Sequence, residues 1–87
     1  TTETSAKFHN KLDIRGMRME EAIKLVEDFV DRALMSTANN LRILHGKGTG
    51  VLRKVVKNKL REYDAVQQVS HPAAEFGGDG VTLVELG

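Results

Sequence analysis

Cysteine is absent from the 87 residues. That removes disulfide frameworks and cysteine-based zinc sites, and it permits a reducing interior. Tryptophan is also absent, and the aromatics are only Phe8, Phe29, Tyr63 and Phe76. A surface that stacks successive bases on aromatic platforms is therefore not expected. The longest apolar runs are a few residues, too short to span a membrane, so no membrane partner is expected. The opening "TTETSAKFHN" has neither an apolar signal core nor an initiator Met. Residues 1–10 read as a linker, with residues 1–7 expected to be disordered. Residues 11–87 read as one domain of a larger cytoplasmic protein.

What is present is a segregation of charge. The net charge is only +1. From Glu20 to Asp31, five acids (Glu20, Glu21, Glu27, Asp28, Asp31) face Lys24 alone. From Lys47 to Arg61 there are six bases (Lys47, Arg53, Lys54, Lys57, Lys59, Arg61) and no acid. A near-neutral chain can still present a local anion-binding face.

Apolar spacing gives the elements. Phe8, Leu12 and Ile14 alternate with polar residues, a first strand that is firmest at 11–14. Met19–Leu34 reads as a helix, with Met19, Ala22, Ile23, Val26, Phe29, Val30 and Ala33 on one face. Glu20 and Glu21 suit its first turn. Glu20–Lys24 and Asp28–Arg32 are i,i+4 pairs, so a solvated helix face explains the acidic run. "LRILH" (Leu41–His45) reads as a covered strand. Val51–Tyr63 reads as a second helix, with Leu52, Val55, Val56, Leu60, Tyr63 and the stem of Lys59 inward. Ala65–Ser70 and Val81–Leu86 read as strands, the last with Val81 and Leu83 on one face. The class is α/β, in the order β-α-β-α-β-β. Right-handed crossovers would place both helices on one face of a mixed four-stranded sheet, a two-layer sandwich.

Ligands gather outside the carboxyl ends of such strands. If the first two strands are parallel neighbours, Asp13, Arg15, His45 and Lys47 share one edge above a glycine loop and a helix N-terminus, which can bind phosphate. The loop "HGKGTG" is not a mononucleotide loop, because Lys47 is followed by Gly48. It is not a dinucleotide fingerprint either, because position 51 is Val. Two readings stay open: backbone that lets an anion approach closely, and a plain strand-to-helix turn. His45 likewise reads either as a hydrogen-bonded structural residue or as an acid or base for phosphodiester cleavage. No metal site is expected, since His9 and His71 lack suitable spacing to His45 and Asp13 is the one well-placed carboxylate. Arg53, Lys57 and Arg61 fall at i, i+4 and i+8, with Lys54 alongside. This unmixed stripe favours an anionic polymer over simple solvation, through phosphate contacts that carry little sequence specificity.

"LDIRGMRMEEA", "LRILHGKGTGVLRKVV" and "EFGGDGVTLVEL" together resemble the Smr (small MutS-related) domain over roughly residues 11–86. The likeness is greatest to the C-terminal Smr domain of bacterial second-type MutS proteins. The resemblance implies a fold similar to the C-terminal domain of translation initiation factor three. It implies an endonuclease that nicks DNA or cleaves RNA, in DNA repair, mismatch repair, recombination control or ribosome rescue, and the site residues make metal-independent cleavage the first expectation. The alternative is a non-catalytic DNA-, RNA- or ribosome-binding module of the same protein. No cofactor is expected in this domain, with ATP used by other domains of a homodimeric parent and the isolated domain monomeric. The resemblance places the active edge on Leu12–Arg15 and His45–Gly48. Asp13, Arg15 and His45 are then the catalytic candidates. Arg15, Arg18, Gly46, Lys47, Gly48, Thr49, Gly50, Arg53, Lys54, Lys57 and Arg61 are the nucleic-acid-binding ones. Arg15 stands where many members carry His. Arg cannot serve as a base, so it would clamp phosphate. Cleavage is weak if the missing His is the catalytic one, and the alternative is subfamily chemistry, since the second-type MutS proteins look similar in carrying Arg here. The acidic first helix leaves a third reading, a protein-interaction domain, supported by charge alone.

Overall fold

A computed structural model describes residues 8–87, and the segment read as disordered, residues 1–7, lies outside the described residues. The elements are β1 (Lys11–Asp13), α1 (Met19–Leu34), β2 (Asn40–Leu44), α2 (Val51–Leu60), β3 (Val66–Ser70) and β4 (Val81–Leu86). Two short 3-10 turns, Ala74–Phe76 and Gly78–Gly80, precede β4.

The sheet order is β1-β2-β4-β3. β1 pairs parallel with β2, and β4 lies antiparallel between β2 and β3. β2 and β3 therefore run the same way, with the returning strand inserted between them. Both helices cover one face. Ala22, Val26, Phe29, Val30 and Ala33 of α1 and Val56 and Leu60 of α2 join Ile14, Leu41, Ile43 and Val84 of the sheet in one buried core. Each of these larger side chains contributes roughly 1.5–3 kcal/mol by leaving water.

Local chemistry explains the element ends. The backbone N–H of Arg18, the residue before α1, donates to the Glu21 carboxylate at 3.5 Å. At the other end the Ser36 hydroxyl donates to Ala33 O (2.8 Å) and accepts from the Ala38 amide (3.0 Å). The orphan carbonyls of a helix end need such partners. α2 is shorter than apolar spacing predicts. After Leu60 the chain tightens, with Glu62 N–H donating to Lys59 O and Tyr63 N–H to Leu60 O. These i→i−3 bonds end the α-helix and still leave Tyr63 packed on the core.

β1 is regular for only three residues, yet its pairing is longer. Arg42 N–H donates to Asn10 O and Ile14 N–H to Leu44 O, both at 2.8 Å. Phe8, within the span read as linker, packs on the core, its ring centroid 5.4 Å from that of Phe29. On β4 the helix-side residues are Thr82 and Val84. Val81 and Leu83 face the other way, opposite Leu44 and Arg42. Both parities of "VTLVEL" look apolar, so the pattern by itself did not decide which face was inside.

Candidate nucleic-acid interface

The parallel pairing of β1 and β2 brings "DIRG" and "HGKG" to one edge, as the shared-edge expectation requires. Alternation then splits the four key side chains between two faces. Asp13 lies opposite Leu44 in the register and is exposed. His45, one residue on, shares the parity of Leu41 and Ile43 and is 4% exposed.

Asp13 holds Arg15. Its carboxylate accepts from the Arg15 backbone N–H (3.0 Å), from Nε (3.0 Å) and from Nη2 (2.8 Å). Hydrogen bonding to the Arg15 side chain, then to its amide, holds the Asp13 carboxyl below its usual range. The same side-chain bond pushes Arg15 further up. Asp13 is therefore a weak base and a firm anchor. The fork uses two of the five guanidinium N–H donors, which leaves three for an anion. The Arg15 stem lies against Gly46, where an added Cβ would sit 3.4 Å from Arg15 Cγ. Gly46 has φ +79°, a region that favours glycine.

His45 is a bridge inside the fold. Its Nδ1 lies 2.9 Å from Gly46 O, and its Nε2 lies 2.7 Å from Thr82 Oγ1. A carbonyl can only accept, so Nδ1 carries the proton and Nε2 accepts from the Thr82 hydroxyl. Burial pushes the imidazole below its ordinary value, against the opposing bond to Gly46. The positive charge of Arg53 acts in the same direction as burial. The backbone amides of His45 and Gly46 both donate to Gly80 O, at 3.0 and 2.9 Å. Gly80 packs on Gly46 closely enough that a Cβ there would meet its backbone at 3.4 Å.

Lys47, Gly48 and Thr49 are exposed, and Gly50, with φ +86°, starts α2 without a side-chain cap. The amides of Val51, Leu52 and Arg53 have no intrahelical partner by geometry, and the first turn holds no acid. This is an uncapped positive helix end beside Lys47.

The basic stripe is less uniform than the sequence implies. Arg53 makes an ion pair with Asp79 at 3.7 Å, so an acid from another loop reaches the stripe that local sequence shows as purely basic. Lys59, whose stem was expected inward, lies off the stripe and faces α1. Its ammonium bonds Glu27 of α1 (2.8 Å) and Glu62 (3.1 Å) and is held up at about 12 by these two partners. Lys54, Lys57 and Arg61 remain exposed and belong to no ion pair among the described residues. Arg18 is exposed at the end of the turn that follows Arg15. Among the described residues no three His, Asp or Glu side chains gather in a metal-ligand set, and no helix is long and apolar enough to cross a membrane.

Sequence reasoning missed Thr82 and Asp79. His71, set aside on spacing as a metal ligand, has its Nδ1 2.7 Å from Val81 O.

The family model for the Smr domain matches residues 12–87. The chain belongs to the Smr domain family. It is 40% identical over 81 residues to "Endonuclease MutS2" of Clostridium botulinum (strain Eklund 17B / Type B), covering 93% of this chain and 10% of that protein. It is 45% identical over 76 residues to the protein of the same name from Geobacillus sp. (strain WCH70), covering 87% and 10%. This Smr domain thus spans about a tenth of the length of the curated relatives it matches. Among solved structures, the Smr domain of Thermus thermophilus MutS2 superposes with a TM-score of 0.85 at 35% identity, over 91% of this chain and 99% of that one. The stand-alone small MutS-related protein YdaL of Escherichia coli gives 0.84 at 31% identity, over 95% and 70%. The two-layer fold of this Smr domain is that of its structural neighbours.

Proposed function

We propose that this Smr domain is a nucleic-acid-binding endonuclease module that hydrolyses a phosphodiester in DNA or RNA without a metal. The observation that carries this reading is Arg15, braced by Asp13 on Gly46 beside Lys47 and the open end of α2. The names of the MutS2 relatives support it. Arg15, Lys47 and the loop amides would hold the scissile phosphate and meet the charge that grows on its oxygens as water attacks and the P–O ester bond breaks. Lys54, Lys57 and Arg61 would follow the strand, with Arg18 and Arg53 as further cations. Within a MutS-like parent this module would serve DNA repair, recombination control or ribosome rescue, with ATP used elsewhere in that protein.

One observation favours a second reading, a binding module that does not cleave. His45 is the candidate acid or base, and both its nitrogens are engaged inside the fold. Proton transfer through Nε2 requires the Thr82 bond to open when substrate binds.

The test is nicking of supercoiled DNA and cleavage of single-stranded RNA, with and without chelator. Expected results are activity that survives chelation and falls on the order of 100-fold in Arg15→Ala, the cost of losing one transition-state donor, with losses in Asp13→Ala and His45→Ala. Unchanged activity in all three variants, or loss on chelation alone, refutes the mechanism. Salt-dependent binding with no cleavage selects the second reading.

A further inference from the structure

The outer face of the sheet carries a groove of about 450 Å³ that begins at the site and runs away from it. Lys11 and Asp13 of β1, Arg42 and Leu44 of β2, Val81, and Phe76 with Gly77 of the 3-10 turn line it. The register explains the lining, because Lys11 pairs with Arg42, and Asp13 with Leu44. Phe76 is 64% exposed. Its turn is held over the groove by Arg42, whose Nη2 donates to Phe76 O at 2.8 Å.

A single exposed Phe needs no explanation. This one stands at the rim of a cleft whose volume lies within the roughly 300–1,000 Å³ range of small-ligand sites. The charge of the cleft is also one-sided. Arg15 neutralises Asp13, and Lys11 and Arg42 remain as cations in the lining that Phe76 shares. Cations next to an open aromatic face match a phosphate next to an unstacked base.

We propose that the groove takes one unpaired nucleotide of the strand held at Arg15, with its base against Phe76 and its flanking phosphates at Lys11 and Arg42. The inference rests on the nucleic-acid reading above and narrows its substrate to a strand with an unstacked nucleotide, RNA or DNA. A base inside a duplex is already stacked and cannot offer its face to the ring.

Fluorescence anisotropy tests this with three probes of one sequence, each as RNA and as DNA where the chemistry allows. They are a single strand, a blunt duplex, and a single strand whose central residues are abasic. Phe76→Ala should weaken single-strand binding by roughly 5- to 150-fold, the range for losing one base–aromatic stack. Duplex binding and the salt slope should stay as in the unmodified chain, and Phe76→Trp should restore the single-strand affinity. The abasic strand should bind the unmodified chain as weakly as Phe76→Ala binds the normal strand. Because Phe76 is exposed, its thermal midpoint serves as the control for folding. Equal loss on single strand and duplex, no loss on either, or abasic binding as tight as normal overturns the inference alone. No salt-dependent binding to any probe overturns the nucleic-acid reading and the inference with it. The stronger of the RNA and DNA single-strand responses identifies the source of the nucleotide.

Discussion

Replacing Thr82 by Val removes the hydroxyl that donates to His45 Nε2 and leaves the shape of the side chain almost unchanged. Thr82 is 1% exposed and His45 4%, so water cannot take over the lost bond. A buried acceptor left unpaired costs roughly 1–3 kcal/mol. In a domain of this size each kcal/mol moves the melting temperature by about 4–8 °C. A central cost of about 2 kcal/mol therefore corresponds to a fall of roughly 8–16 °C. Thr82→Ser keeps the donor and loses one methyl, at about 1 kcal/mol, and should melt above Thr82→Val. The assay is thermal and urea unfolding at pH 7.5, paired with NMR of the imidazole nitrogens. The unmodified domain should show a protonated Nδ1 and a bare Nε2. A Thr82→Val variant within about 0.5 kcal/mol of the parent, the scatter of ordinary surface changes, would refute the assigned bond. So would an Nε2–H tautomer.

Acid should weaken the domain in a window set by His45. Its folded pKa lies below the ordinary 6.5, so on acidification the unfolded chain takes up the proton first. The associated stability is complete above about pH 6.5 and is lost below it, by at most ~1.4 kcal/mol per pH unit, until the folded pKa is passed. Urea titrations from pH 7.5 to 5 should show this slope in the parent and lose it in His45→Asn, and a slope that persists in the variant assigns it to another group. Asp79→Ala frees Arg53 from its 3.7 Å partner, so oligonucleotide binding should tighten about two- to fivefold, the equivalent of an exposed ion pair, and weaker binding would place Arg53 outside the interface. Gly46→Ala and Gly16→Ala both force a side chain into positive φ, at +79° and +77°, and each should cost roughly 1–2 kcal/mol of stability. At position 46 the new Cβ meets Arg15 Cγ, and at 16 it meets nothing within 4 Å. Gly46→Ala alone should therefore lower affinity, and equal affinities in the two variants would show that Arg15 does not depend on Gly46.

Much of this arrangement is local in sequence and was legible there. α1 runs over the residues that its 3.6-residue period marks, because its apolar face and its first-turn acids agree. The shared edge of β1 and β2 follows from a βαβ unit with a helix of ordinary length. The face of His45 was legible in principle, since it continues the Leu41–Ile43 parity, while Asp13 alternates with inward Ile14. The partners were not. Thr82 lies 37 residues from His45, and Phe76 lies 34 residues from the Arg42 that pins it. Contacts at such distances depend on strand register and on the inserted β4, and apolar patterning sets neither. Asp79 was hidden for the same reason, so the basic stripe looked freer of acids than it is.

Gly46 ties the two faces of the edge together. On the outer side it supports the stem of Arg15. On the inner side its carbonyl holds the His45 Nδ1 proton, and its amide, with that of His45, is fixed by Gly80 O. An anion on the free donors of Arg15 would therefore sit next to the residue whose carbonyl orients the imidazole. The Arg at position 15, where the resemblance implies His in many members, then has a physical consequence. A second His would supply a titrating group on the outer face. Arg15 instead supplies a fixed charge there, and among the described residues the buried imidazole is that of His45, next to Gly46 on the inner face. On the proposed reading, proton transfer needs Nε2 released from Thr82, while the Arg15 charge stands on the outer face without that change. On that reading the two proposed activities are separable: changes at Thr82 would act on proton transfer, and changes at Arg15 would act on both.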